Sequence, residues 1–171
     1  AEPISVLPLD WRAVPTTDNA ATWRGEWSDE GILRATPKTV FLKETELEET
    51  HFHAGVRNSF PGIVTLNADS VVRIRYRIDR PLNLGLFIST HAASWDFTGN
   101  FQAYVEEAKT PADDEGWRTA TVPIGSFYPM GERLPFRPGC VVGTIYATTW
   151  SDNAGLEVAE LEITSTTGGK L

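Results

Sequence analysis

Two histidines, His51 and His53, stand two residues apart in "HFH". On a strand this spacing puts both rings on one face, as strand-borne metal ligands require. A carboxylate close downstream would complete such a set, but the chain has Val56 and Arg57 there. Ordinary polar contacts are therefore expected for the pair. Glycoside hydrolysis needs two carboxylates facing each other across a cleft, at about 5 to 9 Å. Asp113, Asp114 and Glu115 form a turn cluster in "PADDEG", where like charges are solvated. Asp96, Glu106 and Asp152 could approach a polar sheet face, but spacing does not bring them together. No nucleophile elbow, phosphate loop or dinucleotide fingerprint occurs. Catalysis is not expected. Cys140 is the single cysteine and sits in the apolar run "GCVVGTIY", which reads as a buried small hydrophobe.

The elements that must carry any site are strands. Period-two runs dominate, and turn residues punctuate them. Strands are expected near residues 22–28, 31–35, 38–44, 50–57, 70–79, 84–91, 101–107, 117–124, 141–150 and 156–164. Gly31 supplies a tight turn in "WSDEGIL", and Pro81 ends a ladder in "IDRPLNLG". "KETELEET" is the best candidate for a helical turn, though charged on nearly every face. In "GLEVAELEIT" Leu156 and Val158 point one way while Leu161 and Ile163 point the other, so a β-bulge is expected near Val158–Ala159.

Alternation then sorts the faces. Val72, Ile74, Tyr76 and Ile78 face a core, leaving Arg73, Arg75 and Arg77 outside. Leu84, Leu86 and Ile88 face in, leaving Phe87, Ser89 and His91. Phe101, Ala103 and Val105 face in, leaving Gln102, Tyr104 and Glu106. Ile145 and Ala147 face in, leaving Thr144, Tyr146, Thr148 and Trp150. The loop "HAASWDFTGN" adds Trp95 and Phe97. This mixture of flat rings, hydroxyls, amide and guanidinium suits a sugar, whose C–H face stacks on a ring while its hydroxyls need placed partners. Arginine could also hold a uronate or sulfate. The bland alternative is a minor core covered by residues 1–21, with the arginines paired to Glu157 or Glu162 on a neighbouring strand. Trp117 falls on the polar side of "GWRTATVPIGSF" and is expected to pack beneath end loops as a seal.

The bulk properties agree with one ordinary globular domain over residues 1–171, with 1–21 an extended segment packed on it. The chain has 171 residues, 41% hydrophobic and 22% charged. Its net charge of −8 disfavours nucleic acid and anionic membrane surfaces as partners. No apolar run approaches the roughly 20 residues that span a bilayer. The opening "AEPISVLPLDW" lacks the basic and apolar regions of a signal peptide, so it reads as a mature N-terminus or an excised module. Composition leans towards a secreted, periplasmic or cell-surface protein.

Residues 70–164 resemble the galactose-binding-like jelly rolls of carbohydrate-binding modules. "VVRIRYRID" with the hairpin partner "LGLFIST" carries the likeness, followed by Trp117, Val122, Pro123, Ile124 and Phe127. Trp23, Gly25, Trp27, Gly31 and Leu33 resemble the first hairpin of concanavalin-like jelly rolls. Both imply an all-β, two-sheet antiparallel jelly-roll sandwich. The resemblance also implies a structural calcium ion near a sheet edge, for which Glu160 and Glu44 are the expected ligands, against solvated strand carboxylates. The reading is a non-catalytic module binding an oligo- or polysaccharide through Trp150, Tyr104, Phe87, Trp95 and Tyr146, with Arg75, Gln102 and His91 as polar contacts. A similar arrangement occurs in FecR-like bacterial envelope regulators. That makes a sensory or protein-interaction domain the alternative, and a small glycan-active enzyme the third.

Overall fold

A computed structural model describes residues 4–7, 22–57, 64–131 and 134–164. The described strands are β1 (Ile4–Leu7), β2 (Thr22–Arg24), β3 (Glu26–Trp27), β4 (Leu33–Arg34), β5 (Thr36–Leu42), β6 (Leu47–Arg57), β7 (Val71–Ile78), β8 (Leu84–His91), β9 (Phe97–Val105), β10 (Arg118–Pro123), β11 (Tyr128–Met130), β12 (Val141–Thr148) and β13 (Leu156–Thr164). They form two antiparallel sheets. One sheet runs β10-β7-β13-β4-β3, with β1 also on β13; the other runs β11-β9-β8-β12-β6-β2, with β5 also on β6. This is the two-sheet jelly-roll sandwich that the resemblances implied.

Inward rows from both sheets make one core. Val72, Ile74, Tyr76, Leu156, Val158, Leu161 and Ile163 come from the first sheet, and Leu84, Leu86, Ile88, Phe101, Ala103, Ile145 and Ala147 from the second. Burying such rows supplies the main driving force of the fold. The expected bulge in β13 is present, as a register shift between Val158 and Glu160 against β7. It lets Leu156–Val158 and Leu161–Ile163 both face inward despite their opposite phase.

The structure corrects several expectations about elements. β7 and β8 are not hairpin partners: they lie in different sheets, so the Pro81 connection crosses the sandwich. Gly25 divides the first strand, sending β2 to one sheet and β3 to the other. Its φ is 121°, and a Cβ there would press on the Arg34 carbonyl oxygen at 2.5 Å. "KETELEET" is a hairpin turn running into β6, with Glu46 in the left-handed region. The N-terminal strand β1 pairs with β13, Ile4 opposite Ile163, so it extends the first sheet instead of lying across a polar face. The rest of the first 21 residues, up to residue 21, falls outside the described residues. β9 also starts earlier than expected and takes in Phe97, and β11 is an added edge strand on β9.

Candidate functional site

Register places the outward side chains of the seven-stranded sheet in rows. Tyr128, Gln102, Phe87, Tyr146 and Gly55 stand opposite one another across β11, β9, β8, β12 and β6. One step along, Tyr104 pairs with Gly85, and Gly85 with Thr148. Trp150 lies just beyond β12, in a turn whose carbonyl accepts the Phe52 amide at 2.9 Å, and its own amide donates to Thr148 Oγ1 at 2.9 Å. Its φ is 51°, a left-handed conformation costly for a residue with a Cβ. That turn lays the indole over Gly85, where a Cβ would fall 2.5 Å from Trp150 Cζ2. The glycine is what makes room for the ring.

Two kinds of aromatic contact result. Tyr146 is stacked on both faces, by His53 at 4.1 Å and Phe87 at 4.7 Å between centroids, and the Arg24 guanidinium stands 5.4 Å from its ring. Parallel rings touch at about 3.5 Å, so these are largely overlapping faces, and the three rings form a wall. Burial pushes the Tyr146 hydroxyl up to about 12. It also holds His53 down at about 3, helped by the positive charges of Arg24, His51 and Lys38. Tyr104 is different. It meets Trp150 at 5.2 Å and Tyr128 at 6.0 Å, with interplanar angles of 25° and 23°. With a ring gap of about 3.5 Å, those separations imply sideways offsets of roughly 4 and 5 Å. The rings overlap like shingles, and Tyr104 and Tyr128 remain 53% and 43% exposed. Burial, then the neighbouring Tyr104 hydroxyl, raises Tyr128 to about 12. This is a flat, partly open platform.

The same face has a second aromatic group at its other end. His91 is stacked on Trp95 at 4.3 Å and meets Phe97 edge-on at 5.9 Å. Gly143 sits at a register shift in β12, and a Cβ there would fall 2.5 Å from His91 Nε2.

The expected site residues therefore divide. Tyr104 and Trp150 form the platform together with Tyr128, which the sequence reading missed because "FYPM" is too short to show alternation. Phe87 and Tyr146 belong to the wall. Gln102 is buried between them and Tyr128, as floor. His91 and Trp95 stand at the far end. Arg75 is corrected: it lies on the outer face of the other sheet, on the far side of the core, where its Nη2 is 3.6 Å from Asp113 Oδ2. Its neighbours form the charge ladder that the bland alternative anticipated. Arg73 pairs with Glu160 at 2.7 Å and Glu162 at 3.4 Å, and Arg77 with Glu157 at 2.9 Å. Hydrogen bonding to Glu160 raises Arg73 further. Trp117 is 7% exposed beneath Arg77 and Arg75, whose guanidinium carbons stand 4.4 and 5.2 Å from its ring. Asp113 Oδ1 accepts the Trp117 and Glu115 amides, both at 2.9 Å. The Trp117 amide, more than the neighbouring groups, lowers the Asp113 carboxyl. Trp117 is buried, as expected, but beneath two arginine side chains of the sheet face.

The two carboxylates expected to hold calcium do not stand together. Glu160 spends its carboxylate on Arg73, and Glu44 is exposed in the β5–β6 turn of the other sheet. No group of three or more His, Cys, Asp or Glu among the described residues is arranged to hold a metal ion. His51 Nε2 donates to Glu49 Oε2 at 3.0 Å, the ordinary polar contact foreseen for "HFH". Cys140 is buried. No helix among the described residues is long and apolar enough to cross a membrane.

Comparison with solved structures finds carbohydrate-binding modules. The chain is similar to a family 30 carbohydrate-binding module, with a TM-score of 0.49 and 8% identity, covering 99% of this chain and 91% of that one. It is also similar to the family 11 module of a cellulosomal cellulase of Clostridium thermocellum, at 0.47 and 12%, covering 96% and 94%. A family 30 module of another cellulosomal cellulase of that organism gives 0.47 and 8%, covering 98% and 99%. No protein-family model and no curated protein matches the sequence.

Proposed function

We propose that this chain is a non-catalytic carbohydrate-binding module that lays an oligo- or polysaccharide on the outer face of its seven-stranded sheet. The observation that carries the reading is the shingled platform of Tyr128, Tyr104 and Trp150, with open ring faces on a rigid sheet. Sugar C–H faces stack on such rings, and the hydroxyls of Tyr104 and Tyr128 supply polar contacts. A polysaccharide ligand puts the module outside the cytoplasm. Asp96 and Glu106 have polar partners of their own: Ser94 donates to Asp96 at 2.7 Å, and Glu106 pairs with Lys109 at 3.1 Å.

Covering the open half of Tyr104 removes on the order of 100 Å² from water, which at about 25 cal/mol/Å² is worth roughly 2.5 kcal/mol. Tyr104→Ala should therefore weaken binding by tens of fold. The test is affinity electrophoresis through gels containing hydroxyethylcellulose, xylan, glucomannan, galactan, pectin or alginate. Retardation by one polymer, lost in Tyr104→Ala and Trp150→Ala, supports the reading; no retardation by any polymer overturns it.

A second reading, a protein partner, is favoured by the β5–β6 hairpin. Residues 43–50 are exposed throughout, Leu47 among them at 63%, and Phe41 beside them is 59% exposed. Phe41→Ser with unchanged polymer retardation would keep any such surface separate from the glycan site.

A further inference from the structure

The aromatic group at the far end of the face has a use of its own. β8 presents Gly85, Phe87, Ser89 and His91 outward. Trp150 covers Gly85 at one end, and Trp95 covers His91 at the other. Gly85 and His91 are six positions apart, which at about 3.3 Å per residue is roughly 20 Å.

The two ends are built alike. Each has a ring seated where a glycine leaves no Cβ, Gly85 under Trp150 and Gly143 under His91. Each has a tryptophan held with positive φ, 51° at Trp150 and 71° at Trp95; among the described residues the only other non-glycine of this kind is Glu46, at a hairpin tip. Left-handed backbone is unfavourable for a residue with a Cβ and persists only where the surroundings impose it. At Trp95 they do. Its amide donates to the Ala92 carbonyl at 2.8 Å, the Ala92 amide to the Asp96 carbonyl at 2.8 Å, and Ser94 Oγ to Asp96 Oδ2 at 2.7 Å. A turn fixed this way holds its ring ready for a ligand without ordering cost. Phe97 beside it is 46% exposed. Burying that ring needs a ligand on this face.

Between the Phe87–Tyr146 wall and the far end, β8, β9 and β12 present a polar strip. Ser89 stands opposite Asn100 on β9 and Thr144 on β12. β9 and β12 carry no Asp, Glu, Lys or Arg, and β8 none either. The side chains of these three strands offer an acidic polysaccharide no cation, and Arg24, which reaches over from β2, is engaged with the Tyr146 ring, whereas hydroxyls would find donors and acceptors.

We infer that Trp95, His91 and Phe97 form a second sugar subsite, so that the module reads the length of a neutral, extended polysaccharide by engaging both ends of β8 at once. The inference rests on the proposed glycan-binding function. Once one platform holds the chain, the second contact is intramolecular and multiplies affinity.

The test uses the retarding polymer, hydrolysed and separated into fractions from the disaccharide upward, with dissociation constants from calorimetry. Affinity should step up, by tenfold or more, at the length that first spans both platforms. Trp95→Gly removes the ring while keeping a residue that accepts positive φ. It should abolish that step, leave short fractions binding as before, and not lower Tm. Phe97→Ser should reduce the step without affecting short fractions. Tyr104→Ala should weaken every length. Affinity independent of length, an unchanged step in Trp95→Gly, or preference for pectin or alginate would overturn the inference while leaving the glycan reading intact. A Tm fall in Trp95→Gly with the step retained would assign the ring to packing and overturn it as well. Wild-type protein that binds no polymer overturns the glycan reading, and this inference with it.

Discussion

Adding a single methyl group to Gly85 tests whether Trp150 is held in place by the room that glycine leaves. In Gly85→Ala the new Cβ would lie 2.5 Å from Trp150 Cζ2, 2.6 Å from Cη2 and 3.0 Å from Thr148 Cγ2. All three are side-chain atoms, and the first two are the far edge of a ring beyond the end of β12. The ring can swing away, so the cost should be that of moderate overpacking, about 1–3 kcal/mol. For a chain of this size each kcal/mol moves Tm by about 2–4 °C, giving a fall of roughly 3–10 °C. Two other glycines bracket the result. At Gly125 nothing lies within 4 Å of the added Cβ, and Gly125→Ala should be neutral or stabilising by up to about 1 kcal/mol. At Gly55 the Cβ would strike the Ile145 carbonyl oxygen and lie 2.5 Å from Tyr146 Cα. That backbone is the middle of β12, paired on both sides, and cannot yield without opening the sheet. Gly55→Ala should be the most damaging of the three. Thermal unfolding gives the stability order, and gel retardation gives the platform: Gly85→Ala should weaken glycan binding about as much as Trp150→Ala. An order in which Gly85 behaves like Gly125, or a displaced ring with undiminished binding, would refute the reasoning.

Two further outcomes follow from groups outside the platform. His53 is neutral in the fold, its pKa held at about 3 against an ordinary 6.5. The unfolded chain therefore gains a proton as pH falls below 6.5 while the folded chain does not. Its contribution is intact above 6.5 and declines towards pH 3, by about 1.4 kcal/mol per pH unit, or about 2 kcal/mol at pH 5. Urea unfolding at pH 7 and pH 5 should show a steeper loss in wild type than in His53→Gln; parallel losses would refute it. Trp117→Ala removes a buried ring from beneath Arg75 and Arg77 and should cost about 3–5 kcal/mol. Tm should drop by roughly ten degrees with the glycan affinity of the folded protein unchanged, and weakened binding would contradict the placement of Trp117 on the sheet away from the ligand.

Alternation made the core readable because a strand with one buried face has to repeat every second residue. Leu84, Leu86 and Ile88 are inside for that reason, and the break in phase at Val158 correctly announced the bulge in β13. What alternation cannot say is which sheet a strand joins. Arg75 and Phe87 both point away from the core, yet they face opposite sides of the molecule, since β7 and β8 lie in different sheets. The connection at Pro81 looks the same in sequence whether the chain turns back beside itself or crosses over. The short strands were illegible for a different reason. β1 and β11 hold four and three residues, too few for a period to appear, and β11 includes Pro129, which is tolerated because the strand is at an edge.

The platform itself is legible only once glycines are counted as part of it. Tyr104 and Trp150 are separated by 46 positions in sequence, and no spacing rule links them. What joins them is Gly85, directly opposite Tyr104 on the neighbouring strand and directly beneath the indole. A side chain there would hold Trp150 off the sheet and separate it from Tyr104, leaving two isolated rings instead of one surface. Glycine in the interior of a strand is otherwise a cost, of roughly 0.5–1 kcal/mol against alanine. Gly85 and Gly143 both stand at such a cost under an aromatic ring, one at each end of the face. Packing the core does not call for either, because both added methyls would point at the outward rings. The demand comes from the outer surface, and so does the function it indicates.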